Sequence, residues 1–163
     1  MKIKAAVISV VLGLLFWLGL NTSLENEVLI IGAAVVVLTA VFAVSNPVLK
    51  DLKLGPKALA AMIAWLFVFL VELIKSNIDV MFRVISPRVR INPAIVEVKT
   101  ALKSPAGRMA LANSITLTPG TLTVDLVDDK LFIHWIDASS TDVEEATKAI
   151  AAKFEKYLEV FLG

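Results

Sequence analysis

Four sets of residues in this chain of 163 carry groups that could do chemistry. Glu72 stands near the end of an apolar run, with Lys75 one helical turn later. A carboxylate at membrane depth is costly and can serve proton relay. At an interface the same i, i+3 spacing makes an ordinary surface ion pair, and this second reading carries the greater weight. A lone carboxylate forms no proton path, so relay would need partners from other chains. His134, between Ile133 and Trp135, could titrate near neutral pH or, more commonly, occupy a strand face. Asp125, Asp128, Asp129 and Asp137 could gather around a cation. Their spacing matches no calcium loop, and aspartate is frequent in turns for backbone reasons. Ser114, Thr116, Thr118, Thr121 and Thr123 offer hydroxyls, but no general base stands beside them and there is no GxSxG elbow.

Several chemistries are excluded outright. The chain has no cysteine and one histidine, which removes thiol catalysis, thiolate sites and multi-histidine metal sites. It has no phosphate-cradling GxxxxGK[ST] loop and no GxGxxG fingerprint. A net charge of +1 makes no case for nucleic acid. No catalytic residue, metal, cofactor or small-molecule substrate is expected.

The elements that must position these groups fall into two halves. The chain is 58% hydrophobic and 19% charged, with mean hydropathy +0.82, against about 45–50% and about 25% for average domains. From Ala5 to Ala58 the charged residues are Glu25, Glu27, Lys50, Asp51, Lys53 and Lys57, all between apolar runs. The fold class expected is therefore a membrane protein with about three N-terminal transmembrane α-helices and a small C-terminal α+β domain. The helical region covers 1–90, with helices near 5–20, 28–44 and 58–84, and the soluble domain covers 91–163.

The core apolar runs span roughly 24–26 Å each at ~1.5 Å per residue, slightly less than a bilayer core of about 30 Å. Flanking residues, thinning or partner helices must make up the difference. All three runs read as apolar around the full circumference. Ala33, Ala34, Ala40, Ala43, Ala60, Ala61 and Ala64 would permit close helix approach, although alanine is common in any membrane helix. Lys2 and Lys4 before the first run fit a signal peptide, but no small-x-small site follows Leu20, so a retained helix is expected. Asn21 to Glu27 then reads as a hairpin loop. Basic residues mark the cytoplasmic side. Three full crossings would set Lys2, Lys4, Lys50, Lys53 and Lys57 against Lys75, Arg83, Arg88 and Arg90. Five against four gives no orientation; either one helix does not cross fully or one basic group faces outward.

Asn92-Pro93 breaks the chain. Ile95 to Leu102 alternates as a half-buried strand, with Val96, Val98, Thr100 and Leu102 on one face. Ser104-Pro105 opens a helix to about Asn113. Thr118-Pro119-Gly120 is a turn. Thr121–Val127 and Leu131–Asp137 form a hairpin through Asp128-Asp129-Lys130, the first strand burying Leu122, Val124 and Leu126. Thr141 to Glu144 reads as a capping box, opening a helix to about Leu162 with Val143, Ala146, Ile150, Phe154, Tyr157 and Phe161 on one stripe. The order is β-α-β-β-α, giving a largely antiparallel sheet with both helices on one face.

The stretch Leu111 to Thr123, LANSITLTPGTLT, resembles the signature of the E subunit of Mrp-type multisubunit Na+/H+ antiporters, a pattern shared by relatives in energy-conserving membrane-bound hydrogenase complexes. Glu72 to Asn77, Pro93 to Val96 and His134 to Asp137 match as well, so the resemblance covers essentially the whole chain. It implies an accessory subunit of a hetero-oligomeric complex in a prokaryotic plasma membrane, multi-pass, with a cytoplasmic C-terminal domain. Ion transport would lie mainly in larger partner subunits. No catalytic residue carries over. The family motif maps onto Ile115, Thr116, Leu117, Thr118, Pro119, Gly120 and Thr121 as a structural turn, and Glu72 with Lys75 is a candidate coupling site. The weighed alternatives are the equivalent subunit of a hydrogenase-type redox complex, a self-sufficient homo-oligomeric channel, whose pore the isolated Ser9 and Thr39 could hardly line, and an enzyme, the weakest for want of converging groups.

Overall fold

The computed structural model describes residues 2–21, 25–45, 51–53, 55–87 and 91–163. Two compact units divide the chain, Met1–Leu52 and Lys53–Gly163.

The first unit pairs α1 (Lys2–Leu20) with α2 (Asn26–Ser45). Flanking residues lengthen the apolar runs to 19 and 20 residues, or roughly 28–30 Å, the thickness of a bilayer core. The seam on α2 is Gly32, Val36 and Ala40, one residue per turn, all buried, whereas Ala33 and Ala34 face outward. Trp17 Nε1 donates to Val28 O at 3.0 Å, and its ring lies so close over Gly32 that an added Cβ would come within 2.4 Å of Nε1. Thr39 turns its hydroxyl back onto Val35 O and Val36 O. Thr22 to Leu24 of the expected hairpin loop, Lys50, Arg88 and Arg90 lie outside the described residues, as do the side chains of Lys2, Lys4, Ser9 and Ala43.

The second unit begins with α3 (Pro56–Ile85), 30 residues long, and continues as β1 (Ala94–Lys99), α4 (Pro105–Leu117), β2 (Thr121–Val127) and β3 (Lys130–Trp135). It closes with α5 (Val143–Ala146), a π turn (Thr147–Ala151) and α6 (Ala152–Leu162). The sheet is antiparallel in order β1-β3-β2, as the β-α-β-β-α reading requires. Val96, Val98, Leu131 and Ile133 meet Leu111 and Ile115 of α4 and Phe154 and Leu158 of α6 in the core.

Five local expectations need correction. β1 ends at Lys99, although Thr100 and Leu102 beyond it are buried as expected. α4 runs on to Leu117 and so absorbs the first part of the motif. β2 is reversed: Leu122 and Val124 are 50% and 56% exposed, and Leu126 is also exposed. The Thr121 and Thr123 hydroxyls take the helix-facing side because they satisfy carbonyls of α4 there, donating to Ile115 O at 2.6 Å and Ala112 O at 3.1 Å. The helix cap is Asp142, not Thr141; its carboxylate accepts from Glu144 N and Glu145 N, the orphan donors an Ncap side chain satisfies. The last helix opens with a π turn, and within α6 the buried stripe runs Phe154, Leu158, Phe161 at regular i, i+4, i+7 spacing, while Tyr157 is only half-buried.

The third apolar run is not uniform in the way α1 and α2 are. Leu59, Ile63, Leu70 and Ile74 of α3 are exposed on one side. On the other, Trp65 meets Phe161 edge-on at 6.1 Å and Phe69 meets Phe154 at 6.5 Å. That second face is polar toward its C-terminal end, where it carries Glu72, Ser76, Asp79 and Arg83.

Candidate functional site

Those four residues of α3 line one wall of a cleft of about 190 Å³, opposite Thr118, Pro119, Gly120 and Thr121. Trp135, Ile136 and Asp137 from the end of β3 close one side, and Ala149, Ile150 and Lys153 the other. The two sequence features singled out independently, Glu72 and the ITLTPGT run, therefore meet at one place.

The motif is built around helix-end carbonyls that lack intrahelical partners. Thr118 caps α4 in an extended conformation, as the residue before a proline must be, and its hydroxyl donates to Ile115 O at 2.7 Å. Thr121 donates to the same carbonyl. Gly120 turns the chain into β2 at φ +94°, and an added Cβ would sit 3.2 Å from Ile136 Cγ2. Its carbonyl accepts from Ile136 N at 2.9 Å, which ties the turn to the end of β3. Ile115 is fully buried in the core, Leu117 is exposed, and Thr116 Oγ1 accepts from Thr123 N at 3.1 Å. Only Thr118 to Thr121 of the motif reach the cleft.

Across from the turn the charges are paired. Glu72 lies between two lysines, with Lys75 Nζ 3.1 Å from Oε1 and Lys153 Nζ 2.7 Å from Oε2. Arg83 Nε is 2.6 Å from Asp79 Oδ2, and its Nη2 is 2.9 Å from Asp137 Oδ2. Three cations and three carboxylates thus form two clusters that fasten α3 to α6 and to the end of β3. The Glu72–Lys153 pair contributes about 0.2–1 kcal/mol; the aromatic contacts of Trp65 and Phe69 supply the larger apolar term.

Lys75 is 68% exposed and lies outside the cleft. Lys153 has no signal in the sequence, because 81 residues separate it from Glu72. The Asp79–Arg83 spacing of four residues was visible, but its third partner Asp137 was not. His134 is exposed on the sheet's open face. Asp128 and Asp129 form the turn after β2 while Asp137 lies past the far end of β3, so the aspartates do not gather. Among the described residues no three metal-ligating side chains cluster.

An apolar helical hairpin followed in the chain by an α+β body clasped to its own long apolar helix defines a membrane-associated protein whose cleft charges are paired with one another. A family model described as Na+/H+ ion antiporter subunit matches residues 10–160, and the chain belongs to that family. It is 44% identical over 91 residues to the E1 subunit of the Na(+)/H(+) antiporter of Staphylococcus saprophyticus, covering 55% of this chain and 56% of that one. It is 40% identical over 103 residues to the E subunit of the Na(+)/H(+) antiporter of Bacillus subtilis, covering 62% and 64%. Each match spans less than two thirds of the relative's own length. Among solved structures, it resembles a chain in the structure of the membrane-bound sulfane sulfur reductase, an archaeal respiratory membrane complex, with TM-score 0.80 and 42% identity over 96% of this chain and 99% of that one. The resemblance carried by LANSITLTPGTLT is thereby confirmed.

Proposed function

We propose that the chain is an accessory, non-catalytic subunit of a multisubunit cation/proton antiporter complex in a prokaryotic plasma membrane. It supports assembly while larger subunits move the ions. α1 and α2 each cross the bilayer, and the α+β body lies on the cytoplasmic side. Its partners are the other membrane subunits and lipid. The observation that carries this reading is the cleft itself: its one carboxylate from the expected coupling site is held by two lysines, and no acid, base or hydroxyl converges on a free position. Glu72 acts with Lys153 as a packing clamp, and with Lys75 as a surface ion pair within α3, rather than as a proton step. Family membership supplies the antiporter context.

Deleting the chain tests this. The remaining subunits should no longer co-purify as one complex, and Na+-dependent proton movement in everted vesicles should fall with the loss of assembled complex. Full antiport from a deletion strain would contradict it.

One observation favours a second setting for the same role. The structural neighbour that matches nearly end to end belongs to a respiratory complex. The chain would then serve an antiporter module attached to a redox enzyme, and iron–sulfur subunits in the purified complex would decide for it.

A further inference from the structure

By length and composition α3 is long and apolar enough to cross a membrane, yet its packing argues otherwise. We infer that α3 does not cross: it lies in the plane of the cytoplasmic membrane surface, its apolar face in the lipid and its opposite face covered by the α+β body. This rests on the membrane localisation but not on the antiporter reading.

Leu59, Ile63, Leu66, Leu70, Ile74 and Met81 are each 45–61% exposed, and at ~100° per residue they share one side of the helix. The other side is occupied along nearly its full length. Ala58 is buried, Lys53 N donates to Phe161 O at 2.9 Å, Trp65 and Phe69 pack on α6, and Arg83 reaches Asp137. From Ala58 to Arg83 is roughly 38 Å of helix at ~1.5 Å per residue, more than the ~30 Å hydrocarbon core.

A helix so covered cannot cross alone. α6 lies against the middle of α3, and between its packing residues Phe154 and Phe161 it carries exposed Lys156 and Glu159. A crossing α3 would draw both charges to the bilayer centre, where ionised side chains are strongly disfavoured. Lying in the interface, the helix keeps its apolar side in lipid and its folded body in water.

The basic residues point the same way. Lys57 and Lys75 are both exposed and stand 18 residues, five whole turns, apart, so they share one flank of α3 between its lipid and protein faces. That suits anionic headgroups. With α1 and α2 as the two crossings, Lys2, Lys4, Lys50, Lys53, Lys57, Lys75, Arg83, Arg88 and Arg90 all fall on one side. The loop Asn21–Glu27 between the crossings contains no lysine or arginine. Five against four becomes nine against none, as the bias of basic residues to the cytoplasm requires.

The native chain has no cysteine, so single-cysteine variants I63C, L70C, I74C and M81C can each carry one spin label in the purified complex, reconstituted into nanodiscs. Accessibility to oxygen and to lipid-borne quenchers at graded depths then gives each label's depth. The inference expects all four at one shallow depth, ~5–10 Å below the headgroups. A gradient with positions 70 and 74 deepest means a crossing helix and overturns it. Labels closed to both lipid and oxygen mean another subunit covers the face, which overturns it too. Impermeant thiol labelling of S23C and S139C in intact cells and everted vesicles is an independent check that leaves α3 unmodified. Opposite sides are expected, and the same side would mean α3 crosses.

Discussion

Lys153 brings its Nζ to 2.7 Å from Oε2 of Glu72, across 81 residues of chain, and thereby fixes the last helix of the α+β body to the middle of α3. On the function proposed above, the contact makes this carboxylate part of a packing joint. Its energetic share is measurable. Replacing both residues in a double-mutant cycle, Glu72→Gln with Lys153→Met, should return a coupling of about 0.5–1 kcal/mol in thermal unfolding of the detergent-solubilised protein. A coupling of zero would mean the pair adds nothing to the hold of α6 on α3.

Gly120 should tolerate no side chain. At φ +94°, with Ile136 Cγ2 only 3.2 Å from a new Cβ, Gly120→Ala is expected to cost about 1–3 kcal/mol. It should also raise proteolysis near the Thr118–Thr121 turn, which limited digestion would report.

The reversed face of β2 predicts an inversion of ordinary hydrophobic logic. Thr121→Val removes one of the donors to Ile115 O, which keeps the Thr118 hydroxyl, and should destabilise by about 0.5–1.5 kcal/mol, the net worth of a hydrogen bond. Leu122→Thr, on a half-exposed site, should change stability by no more than about 0.5 kcal/mol. Denaturant midpoints of the two variants give the order directly. Were Leu122 the costly one, its side chain would face the core after all.

These cases show what could be read from the chain and what could not. The helices, the hairpin and the β-α-β-β-α order follow from periodicity and turn residues. The side of β2 did not, because alternation is symmetric: Thr121, Thr123 and Leu122, Val124 form equally regular sets, and carbonyls at the end of α4 choose between them. The cleft was half legible. Glu72 and the proline-glycine turn stand out locally, whereas Lys153 and Asp137 belong to the site only through tertiary packing. The π turn has no pattern in the sequence, and Tyr157 and Leu158 lie side by side on the apolar flank, so periodicity alone did not choose between them.

The capping assignment is separable by two substitutions. Asp142→Ala should cost about 1 kcal/mol, since Asp142 accepts from Glu144 N and Glu145 N. Thr141→Ala should lie within about 0.5 kcal/mol of the parent. Thermal midpoints compared under one set of conditions check both.

An alkaline dependence follows from Lys130. Its ammonium donates to Glu97 at 2.9 Å, and this bond, with the nearby Glu97 charge, raises it above its ordinary value of 10.5. A cation raised on folding lends stability that is fully present below the unfolded value and lost as pH rises through the folded one. The difference in thermal midpoint between the parent and Lys130→Met should therefore hold constant up to about pH 10 and close above it.

Glu72→Gln separates a subunit that holds a complex together from one that moves ions itself. The measurement is Na+-driven proton movement in everted vesicles, divided by the amount of assembled complex in the same membranes. Antiport per assembled complex should stay within about twofold of the parent, a difference of no more than ~0.4 kcal/mol in the barrier, even where the amount assembled falls. A complex that assembles in full yet loses antiport would contradict it and would make Glu72 a participant in proton transfer.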